Sequence, residues 1–341
     1  MKAVIMAGGE GRRLRPLSGE QPKPLVPFLG RPIMEHIILL LKKHGYTDVC
    51  ATVKYRADDI ISAFGDGSSL GISLQYRREA EPLGTAGSVK NCADFYAGED
   101  FLVISGDAVC DFDLAALMRH HKETKAAVTL ALYNHDRPLS YGLAVTDDEG
   151  RIRAFVEKPD WPRVVSDTVN TGIYIVSPRV MEHVPAEQSF DFAKDLFPLL
   201  MSKGETLQGL VMDGYWCDVG EPLSYYRCCV DALEGKVDIS IPQVFFPAKA
   251  EITCTDRDTD AYILEYPCHS RAALMGALAK AMLQMDADYS DGIRLVRQNY
   301  SLHLSPDSRR SAIRICVNSQ DAEFAAKLAL SVKDLAEILD L

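Results

Sequence analysis

The junction between an apolar run at residues 2–7 and the glycine-rich stretch Gly8-Gly9-Glu10-Gly11 limits this chain more than any other feature. Six residues with almost no polar interruption fit a strand covered on both faces, as in a parallel sheet with helices on either side. Glycines directly after such a strand let the backbone turn sharply and present its N–H groups without side chains in the way. The run is too short for a signal peptide and passes straight into the loop, so it reads as a first buried strand.

The order of segments downstream agrees. Helix-like periodicity at 33–44, behind Arg31-Pro32 and ahead of Gly45, alternates with a strand at 49–53 and a helix at 57–64. A strand at 72–76, a helix at 86–93 and a strand at 101–105 follow. This alternation predicts an α/β, Rossmann-like mixed sheet, mainly parallel and flanked by helices. Beyond residue 126 short strands dominate (142–146, 152–156, 171–176, 207–212), which reads as a mixed extension of the sheet. A helix at 222–233 closes that part. We expect a first domain at 1–235, a linker at 236–248 and a small α+β domain at 249–341, with its last helix striped by Phe324, Leu328, Val332, Leu335 and Ile338.

A net charge of −11 argues against a general nucleic-acid binder, which needs a basic face. No apolar run approaches the roughly 20 residues needed to span a bilayer. The nine cysteines are odd in number and lack CxxC spacing, so reduced thiols in a cytoplasmic protein are expected, and a zinc site is not.

Four cations follow the first glycines: Arg12, Arg13, Arg15 and, in Pro22-Lys23-Pro24, Lys23. Glycines alone would suit a plain tight turn. Glycines with this charge suit a triphosphate, since Arg can fork two oxygens and Lys acts as a point charge. Neither GxxxxGK[ST] nor GxGxxG fits the loop.

The run from Gly8 to Leu17, with Pro22-Lys23-Pro24-Leu25, resembles the signature of sugar-nucleotide pyrophosphorylases, the sugar-1-phosphate nucleotidyltransferases. The resemblance covers residues 1 to about 235. It implies that Ala7, Gly8, Gly9, Gly11, Arg12 and Arg13 line the NTP, that Arg15 meets the leaving pyrophosphate, and that Lys23 meets the transferring phosphate. Glu81-Pro82-Leu83-Gly84-Thr85-Ala86-Gly87 resembles the segment along the nucleobase; its Gly-Thr-Ala-Gly form is similar to mannose-1-phosphate guanylyltransferases, whereas thymidylyl and uridylyl relatives more often carry Gly-Leu-Ala. Taken by itself the segment is also a helix start with Thr85 as its cap. Asp107, in Ser105-Gly106-Asp107, and Asp218, in Trp216-Cys217-Asp218-Val219-Gly220, match the family's two metal-binding aspartates, which implies Mg²⁺. Tyr141-Gly142, Val156-Glu157-Lys158-Pro159 and Asn170-Thr171-Gly172 resemble the sugar-phosphate pocket, with Glu157 on sugar hydroxyls, Lys158 on the 1-phosphate and Gly142, Asn170 and Gly172 around the ring. Ser105 stands where relatives usually carry Asn.

The resemblance implies an Mg-dependent enzyme whose partners are an NTP, GTP before others, and a sugar 1-phosphate, mannose 1-phosphate before others; a homo-oligomer is left open. A glucose-1-phosphate thymidylyl- or uridylyltransferase and a non-catalytic sugar-nucleotide sensor are the alternatives. In residues 249–341, Asp291-Gly292-Ile293-Arg294-Leu295, Leu304-Ser305-Pro306-Asp307-Ser308-Arg309-Arg310 and Ile313-Arg314-Ile315-Cys316-Val317 resemble, more weakly, the last domain of phosphohexomutases. The phosphate-gripping loop there is altered at Ser305, Asp307 and Arg309 and the rest of a mutase is missing, so the domain is expected to be structural, interfacial or regulatory. Arg309 and Arg310 keep residual anion binding open.

Overall fold

The computed structural model describes residues 1–96, 98–135, 141–157, 166, 168–239, 261–268, 271–282, 285, 287–288, 293–306 and 312–339. In chain order the strands are β1 (Lys2–Met6), β2 (Pro27–Phe28), β3 (Arg31–Pro32), β4 (Asp48–Val53), β5 (Ser73–Arg78), β6 (Phe101–Ser105), β7 (Ala108–Cys110), β8 (Val128–Asn134), β9 (Gly142–Thr146), β10 (Ile152–Glu157), β11 (Thr168–Val176), β12 (Leu207–Val211), β13 (Trp216–Asp218), β14 (Ala261–Pro267), β15 (Ile293–Val296), β16 (Tyr300–Pro306) and β17 (Ala312–Ser319). The helices are α1 (Arg15–Ser18), α2 (Ile33–Lys43), α3 (Ala57–Phe64), α4 (Gly84–Lys90), α5 (Ala93–Tyr96), α6 (Leu114–Thr124), α7 (Phe197–Ser202), α8 (Pro222–Leu233), α9 (Arg271–Ala281) and α10 (Ala322–Leu339).

By its contacts the chain divides into two compact units. One comprises Met1–Glu10 with Ile37–Asp218, the other Gly11–His36 with Val219–Leu341. The first is built on a nine-stranded sheet of order β10-β9-β11-β6-β1-β4-β5, with β8 paired to β11 and β12. Strands β6, β1, β4 and β5 run parallel. β11 joins β6 antiparallel, and β9 and β10 extend the sheet antiparallel. Val4, Ile5, Val103 and Ile104 are almost wholly buried, as a central parallel pair requires.

Helix α6 is absent from the sequence expectation. Its buried stripe is Leu114, Leu117, Met118 and His121, so a histidine takes one core position and blurs the apolar period. His121 is tied inside by Thr129 at 2.8 Å, and burial lowers its pKa. Asp113 caps the helix by accepting from the Ala116 amide at 2.9 Å.

The second unit carries a four-stranded antiparallel sheet, β14-β17-β16-β15, covered by α10 on β14 and β17 and by α9 on β16 and β17. The β2–β3 hairpin belongs here as well. So does α8, which the sequence reading placed at the close of the first domain. Helix α9 of this unit runs Arg271–Ala281, and most of the expected linker lies outside the described residues.

Candidate active site

Parallel strands bring their carboxyl ends to one edge of the sheet, where ligands of open α/β sheets bind. In the first unit that edge collects Ala7 to Gly9 after β1, Lys54 after β4, Glu79 after β5 and Gly106-Asp107 after β6. The turn after β6 is pressed onto the end of β1. The Gly106 amide donates to the Met6 carbonyl at 2.8 Å. A Cβ at Gly106 would lie 2.9 Å from that same oxygen and 3.2 Å from Ala7 Cβ. Only glycine lets the two segments approach so closely.

Asp107 is half-buried and accepts a 2.5 Å hydrogen bond from the Ser105 hydroxyl. The serine that replaces the usual asparagine therefore orients the carboxylate. β7 leaves Asp107 directly and pairs antiparallel with β13, with Asp218 opposite Ala108. Two aspartates 111 positions apart in sequence thus lie on one two-stranded ribbon, Asp218 in β13 and Asp107 immediately before β7. Asp111 locks this ribbon, accepting from the Tyr215 amide at 2.7 Å while its own amide donates to the Tyr215 carbonyl at 3.2 Å. Among the described residues no group of three or more His, Cys, Asp or Glu side chains could hold a metal by itself. A pair of hard carboxylates fits Mg²⁺, which leaves most of its six positions to phosphate oxygens and water.

The sugar-side segments are also gathered. Glu157 pairs with Gly142 across β10 and β9, and its Oε2 would lie 3.0 Å from a Cβ at Gly142. β11 bulges between Asn170 and Tyr174. Within that bulge the Asn170 side chain accepts from the Gly172 amide at 3.1 Å. A Cβ at Gly172 would sit 3.5 Å from Cβ of Ser105, which sets the bulge beside the Asp107 turn. Lys158 lies outside the described residues, as do Asp307, Ser308, Arg309 and Arg310.

The Glu81–Gly87 segment departs from expectation. Gly84, at φ +69°, would place a Cβ 2.7 Å from the Phe190 carbonyl oxygen, and Gly87 would place one 2.8 Å from that of Gln188. The close approach these glycines permit is to the chain's own backbone. Thr85 does not cap its own helix. Its hydroxyl donates to Asp191 at 2.8 Å and accepts from the Phe192 amide at 2.9 Å, at the start of a π-helical turn, Phe192–Leu196. Glu81 and Pro82 are exposed, and Ala86 is buried.

Two acidic residues were invisible to sequence reasoning. Glu79 accepts from the Leu83 amide at 3.2 Å, and its other oxygen would be 3.1 Å from a Cβ at Gly8. Burial raises its pKa. Asp191 anchors Thr85. Neither sits in a motif, and only the fold brings them to the site.

In the second unit the cationic segment is compact. Gly11 has φ +62°, and a Cβ there would meet Cβ of Lys23 at 2.9 Å. Glycine is needed twice over, for the left-handed turn and for the lysine stem. Lys23 is 6% exposed, whereas Arg12, Arg13 and Arg15 are exposed.

The fold and this loop set define an α/β protein with a polar, carboxylate-bearing site at the carboxyl edge of a parallel sheet. Residues 2–235 match the family model described as nucleotidyl transferase, and the chain belongs to that family. The UTP--glucose-1-phosphate uridylyltransferase of Synechocystis sp. is 35% identical over 258 residues, 72% of this chain and 66% of that protein. Mannose-1-phosphate guanylyltransferase of Mycobacterium tuberculosis is 34% identical over 234 residues, 68% of this chain and 65% of that protein. The chain thus spans just under two thirds of the length of these relatives. The crystal structure of HddC from Yersinia pseudotuberculosis complexed with GMP-PN superposes with a TM-score of 0.59 at 29% identity, over 67% of this chain and 97% of that one. Among the described residues no helix is long and apolar enough to cross a membrane.

Proposed function

We propose that this chain is an enzyme that transfers a nucleotidyl group from an NTP to a sugar 1-phosphate and releases pyrophosphate. GTP and mannose 1-phosphate are the favoured pair. The observation that carries the reading is the pairing of β7 with β13, which sets Asp218 opposite the neighbour of Asp107.

The sugar phosphate is already an anion, so its oxygen attacks the α-phosphorus in line without a general base. The barrier is the repulsion of two anions and their alignment. Asp107 and Asp218 would hold Mg²⁺, which when bound supplies charge neutralisation between donor and acceptor phosphates. Arg15 binds the leaving pyrophosphate, Lys23 the α-phosphate, and Lys158 the acceptor phosphate. Burial of Lys23 supports its role, since a dry ammonium acts more strongly on phosphate than a solvated one. Glu157, on the Gly142 side of the sheet, accepts from sugar hydroxyls. Gly-Thr-Ala-Gly and the likeness to the mycobacterial relative and to the GMP-PN complex support guanylyl transfer. The likeness to the Synechocystis relative supports uridylyl transfer to glucose 1-phosphate as the second reading.

A pyrophosphate-release panel crossing four NTPs with mannose-, glucose- and heptose-1-phosphates under Mg²⁺ tests both. The guanosine–mannose pair should turn over fastest. Lys23→Ala or Asp107→Asn should lose on the order of 3 kcal/mol of barrier lowering, as for removal of a preorganised electrostatic contact. No release with any pair, or undiminished release by either variant, would overturn the assignment.

A further inference from the structure

The segment that carries the cations cannot hold its own shape. Helix α1, Arg15–Ser18, has four residues, and a helix that short does not persist on its backbone bonds alone. What fixes it is tertiary. Leu17 is 2% exposed, and α1 packs against α9 and α10. Leu17 lines an apolar cavity together with Tyr225, Met282, Leu328, Val332 and Leu335. Further along, the Tyr225 hydroxyl donates to the Pro27 carbonyl at 2.7 Å, and the ring meets Phe28 edge-on at 6.1 Å between centroids. The stretch holding Arg15 and Lys23 is therefore seated at two points, on α8 and on the helices of the C-terminal domain.

We infer that the C-terminal domain is a positioning element for the cationic loop, with α10 holding Arg15 in place through Leu17. Its effect on catalysis rests on the function proposed above, whereas the clamp itself does not. Side-chain burial of this kind acts on loop order and so on how far Arg15 is preorganised for a triphosphate. It also assigns work to a domain whose resemblance to a mutase domain stops short of a phosphate grip.

The test uses the full chain with Leu328→Ala and the milder Val332→Ala. The control is Leu295→Ala on β15, which is wholly buried in the same domain but does not line the cavity. Two readouts are taken well below the lowest melting temperature. The first is tryptic cleavage at the exposed Arg12 and Arg13, followed by mass spectrometry of the new N-termini. The second is NTP affinity by calorimetry without sugar phosphate. We expect roughly tenfold faster cleavage and roughly tenfold weaker NTP binding in both α10 variants, and neither effect in the control. Cleavage within twofold of the unaltered chain would overturn the clamp. Faster cleavage with unchanged NTP affinity would overturn its positioning role. If the unaltered chain binds no NTP while cleavage still accelerates, the clamp stands and the proposed function falls.

Discussion

Replacing Gly106 by alanine tests whether the turn carrying Asp107 must sit where it does. Gly106 is not in the left-handed region, so alanine meets no backbone strain there, only crowding. The new Cβ would stand 2.9 Å from the Met6 carbonyl oxygen and 3.2 Å from both Ala7 Cβ and Ile5 Cγ2. Carbon–oxygen contacts of this kind settle at about 3.3–3.6 Å, so a gap of about 0.4–0.7 Å must open. β1 cannot give, because it is paired on both sides, to β4 and to β6. The displacement therefore falls on Gly106-Asp107. It stretches the 2.8 Å bond from the Gly106 amide and moves the carboxylate. Overpacking of this sort costs about 1–3 kcal/mol, a fall in melting temperature of about 2–4 °C per kcal/mol for a cooperative unit of about 150–250 residues, the size class of the first unit. Misplacement by 1 Å costs about a hundredfold in rate, so half that shift should lower kcat about tenfold. Pyrophosphate release at saturating substrates, a Mg²⁺ titration and calorimetry read all three quantities. A folded Gly106→Ala protein with kcat and half-saturating Mg²⁺ both within twofold of the unaltered chain would refute the reasoning.

Gly9 is the converse case: it is exposed, its φ is not positive, and no atom lies within 4 Å of a Cβ built there. Gly9→Ala should leave stability within about 0.5 kcal/mol while raising the KM for NTP about tenfold, because the methyl group enters the space the phosphates need. An unchanged KM would return the loop to the status of a plain turn. Asp334, half-buried on α10, has its pKa pushed up to about 6 by loss of solvation. A carboxyl whose folded-state pKa exceeds its unfolded value contributes stability at low pH and loses it as pH rises through about 6. The ionised form then costs on the order of 2–3 kcal/mol at neutral pH. Asp334→Asn should raise Tm at pH 7 and flatten the profile between about pH 4 and 7, and a Tm at pH 7 no higher than the unaltered chain's would refute this.

What was legible in the sequence is what short-range physics writes there. α3, β6 and α8 fall at the expected bounds, because apolar period, glycine stops and Pro222 at the start of α8 are local signals. Asp107 and Asp218 are paired in the sequence only by motif order, and the β7–β13 register places Asp218 opposite the residue that follows Asp107. The expected Thr85 cap failed because its partner, Asp191, lies 106 positions away, and no local rule sees that far. Helix α6 was lost where His121 stands in for an apolar residue. The seat of Leu17 among α8, α9 and α10 is likewise written in tertiary contacts alone. The motif glycines show how the two kinds of information separate. Gly11, Gly84 and Gly106 are required by neighbouring protein atoms, so the fold alone accounts for them. Gly9 has no such neighbour. The proposed function supplies the reason that the fold does not, a phosphate approaching the backbone at the carboxyl end of a central parallel strand, and an unchanged KM in Gly9→Ala would remove it.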